Sequence, residues 1–331
     1  MLRFSRISRS LHTKYTPISI VDALPTGLSK ESKAAQLKSL NQACQCTFNN
    51  LADFHNLPEK FAPLKISENS SNLLHGSQLP NEVPSFKSHV LLIGPTDSFS
   101  QWKSKLELDH DTFPYNVIGP LKSQLKNCSI MVNAVSFGKS FDLGKSLEYD
   151  PTKIKFICIP EMVVVELPKD DKKALEAFTE YLECTYRESN QIYNPFTAFT
   201  RGGETKKLPS VTPHSLDDFT CQDLNGQNLI FVCGHAKRDQ RCGVIAPLIM
   251  DEILKWRDKN NAYKYTPGMI SHIGGHKFAG NMAIYEQDET RVDGIWYKQV
   301  TPNLVSLVLD KLTDQKVIKD LYRGHFKHMK S

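Results

Sequence analysis

No run of apolar residues approaches the roughly 18 that a membrane-crossing helix needs. The longest apolar patch, residues 156–167, is broken by Pro160 and Glu161. No integral membrane segment is therefore expected. A basic surplus is also missing outside the N-terminus. The formal net charge is +5 over 331 residues. Residues 1–14 hold Arg3, Arg6, Arg9 and Lys14 and no acid, and without them 37 basic residues face 36 acidic ones. That balance gives no polyanion-binding surface, so nucleic acid is not an expected partner. Eight cysteines in a chain this long are too few for a disulfide framework. The glycines of Gly202-Gly203-Glu-Thr-Lys-Lys lack the spacing of a phosphate loop, and no internal repeat is visible.

The basic N-terminus has its own pattern. Its arginines are interleaved with Leu2, Phe4, Ile7 and Leu11, serines are frequent, and the first acid is Asp22. Such composition marks a mitochondrial transit segment, here placed at 1–20, with the matrix favoured over the intermembrane space. The length suggests about two domains. Residues 21–187 read as an N-terminal α/β domain. Its strand candidates are 89–94, 130–135 and 155–160, and a helix is expected over Asp170–Arg187, where Leu175, Phe178, Tyr181 and Leu182 recur at helical spacing. Residues 188–220, rich in Pro and Gly, read as a linker.

The remaining segment, 221–331, is more regular. Asn228–Cys233 reads as a strand, and a polar loop through Gly243 follows. Ile245, Leu248, Ile249, Ile253 and Trp256 then mark a helix face, with Pro247 expected in its first turn. A short strand at 269–273, an antiparallel pair at 281–285 and 294–300, and a helix after Thr301-Pro302 complete the unit. The order βα, β, ββα is that of a thioredoxin-like unit.

Chemistry concentrates on two loops of this segment. Cys233 and Cys242 are separated by eight residues, and His272 and His276 by three. Two thiols and two imidazoles make a four-ligand set. Structural zinc sites pair their cysteines more tightly, at two to four intervening residues. The wider loop suits a larger object such as a 2Fe–2S cluster, in which two His can replace two Cys on one iron. A zinc-protease helix is excluded, because Ile273 stands where Glu is needed and two glycines follow. Gly274 and Gly275 let the backbone curl close to such a centre and offer N–H donors. Arg238, Arg241 and Lys277 surround it, suited to docking an acidic redox partner or to tuning the centre by hydrogen bonds. His235, beside Cys233, is expected to point away from it and not to be a ligand. Cys44-Gln-Cys46 is a further dithiol candidate without a visible activating partner.

Three stretches carry a family resemblance: Cys-Gly-His-Ala-Lys-Arg-Asp-Gln-Arg-Cys-Gly at 233–243, Ser-His-Ile-Gly-Gly-His-Lys-Phe-Ala-Gly-Asn at 271–281, and Trp-Tyr-Lys-Gln-Val-Thr-Pro at 296–302. They resemble the sucrase/ferredoxin-like family, in its fungal altered-inheritance-of-mitochondria branch, most densely over residues 226–325. The resemblance implies a thioredoxin-like ferredoxin domain whose 2Fe–2S cluster is held by Cys233 and Cys242 on an inner iron and by His272 and His276 on an outer, more exposed one. It also implies a degenerate thioredoxin-like fold for the first domain. The family name mentions sucrase, but no paired-carboxylate glycosidase site is present.

The expected function is thus mitochondrial electron transfer with an unidentified redox protein partner, serving thiol redox homeostasis. Two alternatives stay open: a thioredoxin-like thiol–disulfide oxidoreductase, and an interaction module stabilised by zinc in the same ligands. Neutral imidazoles donate less negative charge than thiolates and carry a second, titratable nitrogen. The reduction potential is therefore expected to lie above that of an all-Cys cluster and to fall as pH rises between about pH 6 and about pH 10. In a redox titration followed by visible absorption, His272→Cys should keep a cluster and lower its potential; complete loss of the cluster contradicts the ligand assignment.

Overall fold

A computed structural model describes residues 16–18, 82–138, 144–187, 214–275, 279–313, 316–318 and 321–329. The basic segment 1–14, Cys44, Cys46, linker residues 188–213, His276 and Lys277 lie outside the described residues.

The strands are β1 (Thr16–Ile18), β2 (Ser88–Ile93), β3 (Ile130–Ser136), β4 (Lys153–Ile159), β5 (Val163–Pro168), β6 (Thr220–Asp223), β7 (Asn228–Cys233), β8 (Tyr265–Ile270), β9 (Met282–Gln287), β10 (Arg291–Tyr297), β11 (Lys316–Ile318) and β12 (Tyr322–Met329). The helices are α1 (Ile118–Gln124), α2 (Gly144–Leu147), α3 (Lys172–Tyr186), α4 (Gln240–Lys259) and α5 (Val305–Thr313), with short 3-10 turns between them. The protein is a mixed α/β chain built on one large mixed sheet. Its strand order is β12-β10-β9-β7-β8-β3-β2-β4-β5-β6, and β1 and β11 form a separate parallel pair.

The same pattern occurs on each side of this sheet. In the N-terminal half β2 runs parallel to β3 and antiparallel to β4, which pairs antiparallel with β5. In the C-terminal half β7 runs parallel to β8 and antiparallel to β9, which pairs antiparallel with β10. The halves meet where β3 pairs with β8, through Val135–Ile270 and Ser136–Met269. Two edge strands, β6 on β5 and β12 on β10, extend the sheet at its ends. Neither is visible in the periodicity of the sequence.

Alternation along the strands divides the core into two faces. Val90, Leu92, Ile230 and Val232 join one cluster with Ile118, Phe178, Ile249 and Val308, residues of the helices that cover that face. Leu91, Ile93, Leu229, Phe231 and Cys233 point the other way and pack with Phe86, Phe137, Leu147 and Trp296. Cys233 therefore ends β7 on the face with less helix over it.

The expected helix over Asp170–Arg187 is α3, whose Asp171 side chain caps it by accepting the N–H of Ala174 at 3.0 Å. The helix after Cys233 begins earlier than the apolar periodicity shows. Asp239 caps it, so Cys242 lies in the first turn and Pro247 well inside the helix rather than in that turn. The polar residues Gln240 and Arg241 hide this start, because no apolar stripe begins until Ile245. Residues 102–108 hold a 3-10 turn, Leu106–Leu108, preceded by buried Trp102.

A buried polar chain crosses the seam between the halves. Tyr285 on β9 donates its hydroxyl to His89 Nδ1 at 2.5 Å, and His89 Nε2 donates to Asn133 Oδ1 at 3.0 Å. Asn133 Nδ2 donates to Ser271 Oγ and to the His272 carbonyl, each at 2.9 Å. Complete burial, helped by the charge of Lys122 and opposed by the Asn133 bond, lowers the His89 pKa to about 3. The ring is therefore neutral in the folded protein, whereas the unfolded chain protonates it near its ordinary value of about 6.5. Stability from this group is fully present above about pH 6.5 and is lost as pH falls toward about pH 3, by up to roughly 5 kcal/mol. Urea unfolding from pH 7 to pH 4 should show this decline, and His89→Gln should flatten it; an unchanged slope in the variant would show that other groups set the acid sensitivity.

Candidate functional site

The site is built where the end of β7, the start of α4 and the loop after β8 come together. Cys233 is fully buried and Cys242 nearly so, at 2% exposure, while His272 on the third segment is half-buried. The loop from Gly234 to Asp239 folds tightly onto the first turn of α4. A Cβ on Gly243 would stand 2.3 Å from that of Ala236, so only glycine lets the helix approach closely enough to bring Cys242 to Cys233. The two thiols are hydrogen-bonded to each other. The His272 ring and the backbone N–H of His235 also lie close enough to the Cys233 sulfur to favour its thiolate. The Cys242 bond, followed by these contacts, holds the Cys233 thiol well below its usual range despite its burial. Cys242 moves in the opposite direction, because it hydrogen-bonds to Cys233 and is itself buried.

Three of the four expected ligands thus meet, with Cys233 as the common member. The fourth, His276, lies outside the described residues. Among the described residues, no three His, Cys, Asp or Glu side chains converge on the position of a single metal ion. The arrangement is pairwise: sulfur with sulfur, and sulfur with imidazole.

His235 is a clamp on this assembly. Its Nε2 donates to the Lys103 carbonyl at 2.8 Å, and its Nδ1 accepts the N–H of His272 at 3.1 Å. Burial lowers its pKa, which suits a neutral ring with one donor and one acceptor. It ties the N-terminal half to the backbone of His272, with Trp102 packed edge-on at 5.6 Å.

The glycines of the loop have a neighbour that the sequence does not point to. Gly274 and Gly275 adopt positive φ of 78° and 74°, and beneath them lies Arg323 of β12. A Cβ on Gly275 would sit 3.1 Å from the guanidinium carbon. Arg323 is 2% exposed, donates to the Ile273 carbonyl and to Asn281 Oδ1 at 3.2 Å each, and lies over the Trp296 ring at 5.1 Å. Burial lowers its pKa, while the charges of Glu82 and Cys233 oppose that shift. It is a buried cation close to the thiols. Sequence reasoning missed it, since a lone arginine near the C-terminus carries no motif.

The other basic residues separate. Arg241 is held by Asp239 in a bidentate ion pair of 3.0 and 2.8 Å that completes the α4 cap. Arg238 is exposed and faces a cavity that His272 also lines. Lys277 lies outside the described residues. Of the other cysteines, Cys158 is buried on β4, in keeping with its apolar sequence neighbours, and Cys221 is exposed on β6.

The sucrase/ferredoxin-like family model matches residues 79–324, most of the chain and all of this site. The chain belongs to the sucrase/ferredoxin-like family. Its curated relatives include proteins called altered inheritance of mitochondria protein 32. The one from Kluyveromyces lactis is 28% identical over 96% of this chain and 92% of its own length. Those from Saccharomyces kudriavzevii and Eremothecium gossypii are 31% and 32% identical, over 75% and 74% of this chain and 80% of theirs. No solved structure matches. Among the described residues of this family member, no helix is long and apolar enough to cross a membrane.

Truncating the clamp isolates its role. His235→Ala leaves the His272 N–H and the Lys103 carbonyl without their partner, which costs about 1–3 kcal/mol. In hydrogen exchange followed by mass spectrometry, the peptide containing His272 should lose protection while those from β2 and β4 keep theirs. Unchanged protection around His272 contradicts the clamp.

Proposed function

We propose that the chain is a mitochondrial electron-transfer protein whose redox centre is a 2Fe–2S cluster held by Cys233 and Cys242 on the buried side and by His272 and His276 on the more exposed side. We further propose that its two halves are thioredoxin-like units, the C-terminal one a thioredoxin-like ferredoxin. The observation that carries this reading is the meeting of two buried thiols with an imidazole from a separate loop. A binuclear cluster asks for ligands in pairs, two on each iron, rather than for three on one ion, and the donors are of the types it accepts. When bound, such a cluster supplies a one-electron site.

The surrounding residues suit that task. The backbone N–H of His235 donates to the Cys233 sulfur, the kind of bond that stabilises thiolate charge. Arg323 supplies a positive charge on the opposite side of the loop, where buried anionic sulfur needs it. His272 stands nearer to solvent than either thiol, on the side from which a partner approaches. Arg238 gives that side positive charge and suits an acidic redox protein; Arg241, engaged by Asp239, serves the helix cap. Strand order supports the thioredoxin-like assignment, because each half places its second strand beside its first, then its third and fourth. The mitochondrial assignment draws on the names of the relatives and on the basic, acid-free segment 1–14.

A second reading has one specific observation in its favour. The close approach of Cys233 and Cys242, with Cys233 as the more acidic thiol, is what a thiol–disulfide oxidoreductase needs.

Purification of the full chain under oxygen-free conditions, followed by metal and acid-labile sulfide analysis, tests the proposal. Iron and sulfide should be present in equal amounts, with visible absorption that Cys233→Ser and the double replacement of His272 and His276 by Ala abolish. A colourless protein without sulfide overturns it. Disulfide reductase activity that survives loss of both histidines selects the second reading.

A further inference from the structure

Beside His272 the two halves of the chain line a polar cavity of about 170 Å³ that is open to solvent. The 3-10 turn Leu106–Leu108 and α1 supply Glu107 and Lys122 from one side. The site loops supply Arg238, Ser271 and His272 from the other. Its volume is comparable to the roughly 150 Å³ cavity that accepts a benzene ring, so a ligand of about six heavy atoms fits.

The chemistry of the wall is directional. Ser271 is 3% exposed, and its Oγ accepts two N–H bonds, from Ala134 at 3.0 Å and from Asn133 Nδ2 at 2.9 Å. A hydroxyl has two lone pairs and one proton. With both lone pairs taken on the β3 side, the proton remains to be donated to an acceptor in the cavity that Ser271 lines. Two cations, Lys122 and Arg238, stand at the same cavity against one carboxylate, Glu107. Burial and the repulsion of Arg238 lower the Lys122 pKa, with Glu107 opposing both. An added anion would relieve that repulsion, and one negative charge suffices to balance the three groups.

We infer that this cavity is a binding site for a small oxyanion, the carboxylate or phosphate group of a compact ligand, held by the Ser271 hydroxyl, Lys122 and Arg238 against His272. The inference goes beyond the redox assignment and needs no metal. Where the proposed cluster is present, the site puts a small acid in contact with the more exposed ligand, as a substrate or effector of the redox centre would be.

The test is a thermal-shift titration of the full chain with sodium phosphate and, separately, with sodium acetate, at ionic strength held constant with chloride. It is run on protein as purified and after metal removal. At least one of the two anions should stabilise the protein saturably, and the one with higher affinity distinguishes phosphate from carboxylate. Lys122→Met and Arg238→Gln should each weaken binding about tenfold. Lys126→Met removes the same charge outside the cavity and should leave binding unchanged. Ser271→Ala should also weaken binding, but it strips an acceptor from Ala134 and Asn133, so the outcome is decided by the two charge variants. Absence of saturation with both anions, equal affinity in wild type and cavity variants, or an equal loss in Lys126→Met overturns the inference. Anion binding in a protein without iron and sulfide would leave this site standing and remove the cluster; a clustered protein that binds neither anion would do the reverse.

Discussion

Asn133 uses its side-chain amide on three partners: His89, Ser271 and the carbonyl of His272. Two of these belong to the loop that carries the site, and the third is anchored to Tyr285 across the sheet. An amide buried at this depth cannot leave a donor or acceptor unmatched without a penalty of about 1–3 kcal/mol for each. The position of the His272 loop is therefore tied to the register of β3 and, through His89, to that of β2 and β9. The seam between the halves has only two β3–β8 register pairs, and this polar chain gives it direction. An apolar seam could slide; one held by an amide, an imidazole and two hydroxyls has a single satisfied arrangement.

The same loop is held from two further directions. His235 grips the N–H of His272 and extends to Lys103 in the N-terminal half. Arg323, on the last strand, grips the Ile273 carbonyl and fills the space below Gly275. The N-terminal half thus takes part in the site through Lys103, Asn133 and the cavity wall. Glycine is favoured at 274 and 275 because positive φ is strained for other residues, and at 275 also because a Cβ would crowd the buried guanidinium.

Much of this is legible in the sequence, and the part that is not has a common cause. Strand β7 and helix α3 are visible because apolar residues recur at the period of their element. The pairing of Cys233 with Cys242 and His272 is legible because residue types with one shared chemistry sit at loop positions between strands. The start of α4 is hidden by Gln240 and Arg241, whose polarity looks the same in a loop and in a first helical turn; only Asp239, taken as a cap, would place it. Residues Arg323, His89, Asn133 and Ser271 act through partners 42 to 196 positions away, and periodicity within one segment carries no record of such pairs. The glycines do permit a close approach, as their place in the sequence suggests, but the atom that approaches Gly275 belongs to an arginine that local sequence cannot associate with it.

These supports bear on the choice between the two redox readings. A dithiol needs two sulfurs within reach, one of them acidified, and β7, Gly243 and the cap of α4 already deliver that. Nothing in thiol–disulfide exchange asks for the backbone around His272 to be held by an amide from β3, an imidazole from the β7 loop and a guanidinium from β12. A metal ligand does, because a ring nitrogen must stay in one place with its loop fixed around it. Three buried polar side chains drawn from three distant parts of the chain converge on the segment 271–275, and burying them is costly unless every bond is made. The concentration of this cost on the histidine loop, rather than on the cysteine pair, is the physical argument for the proposed reading, in which the His272 imidazole belongs to a redox centre.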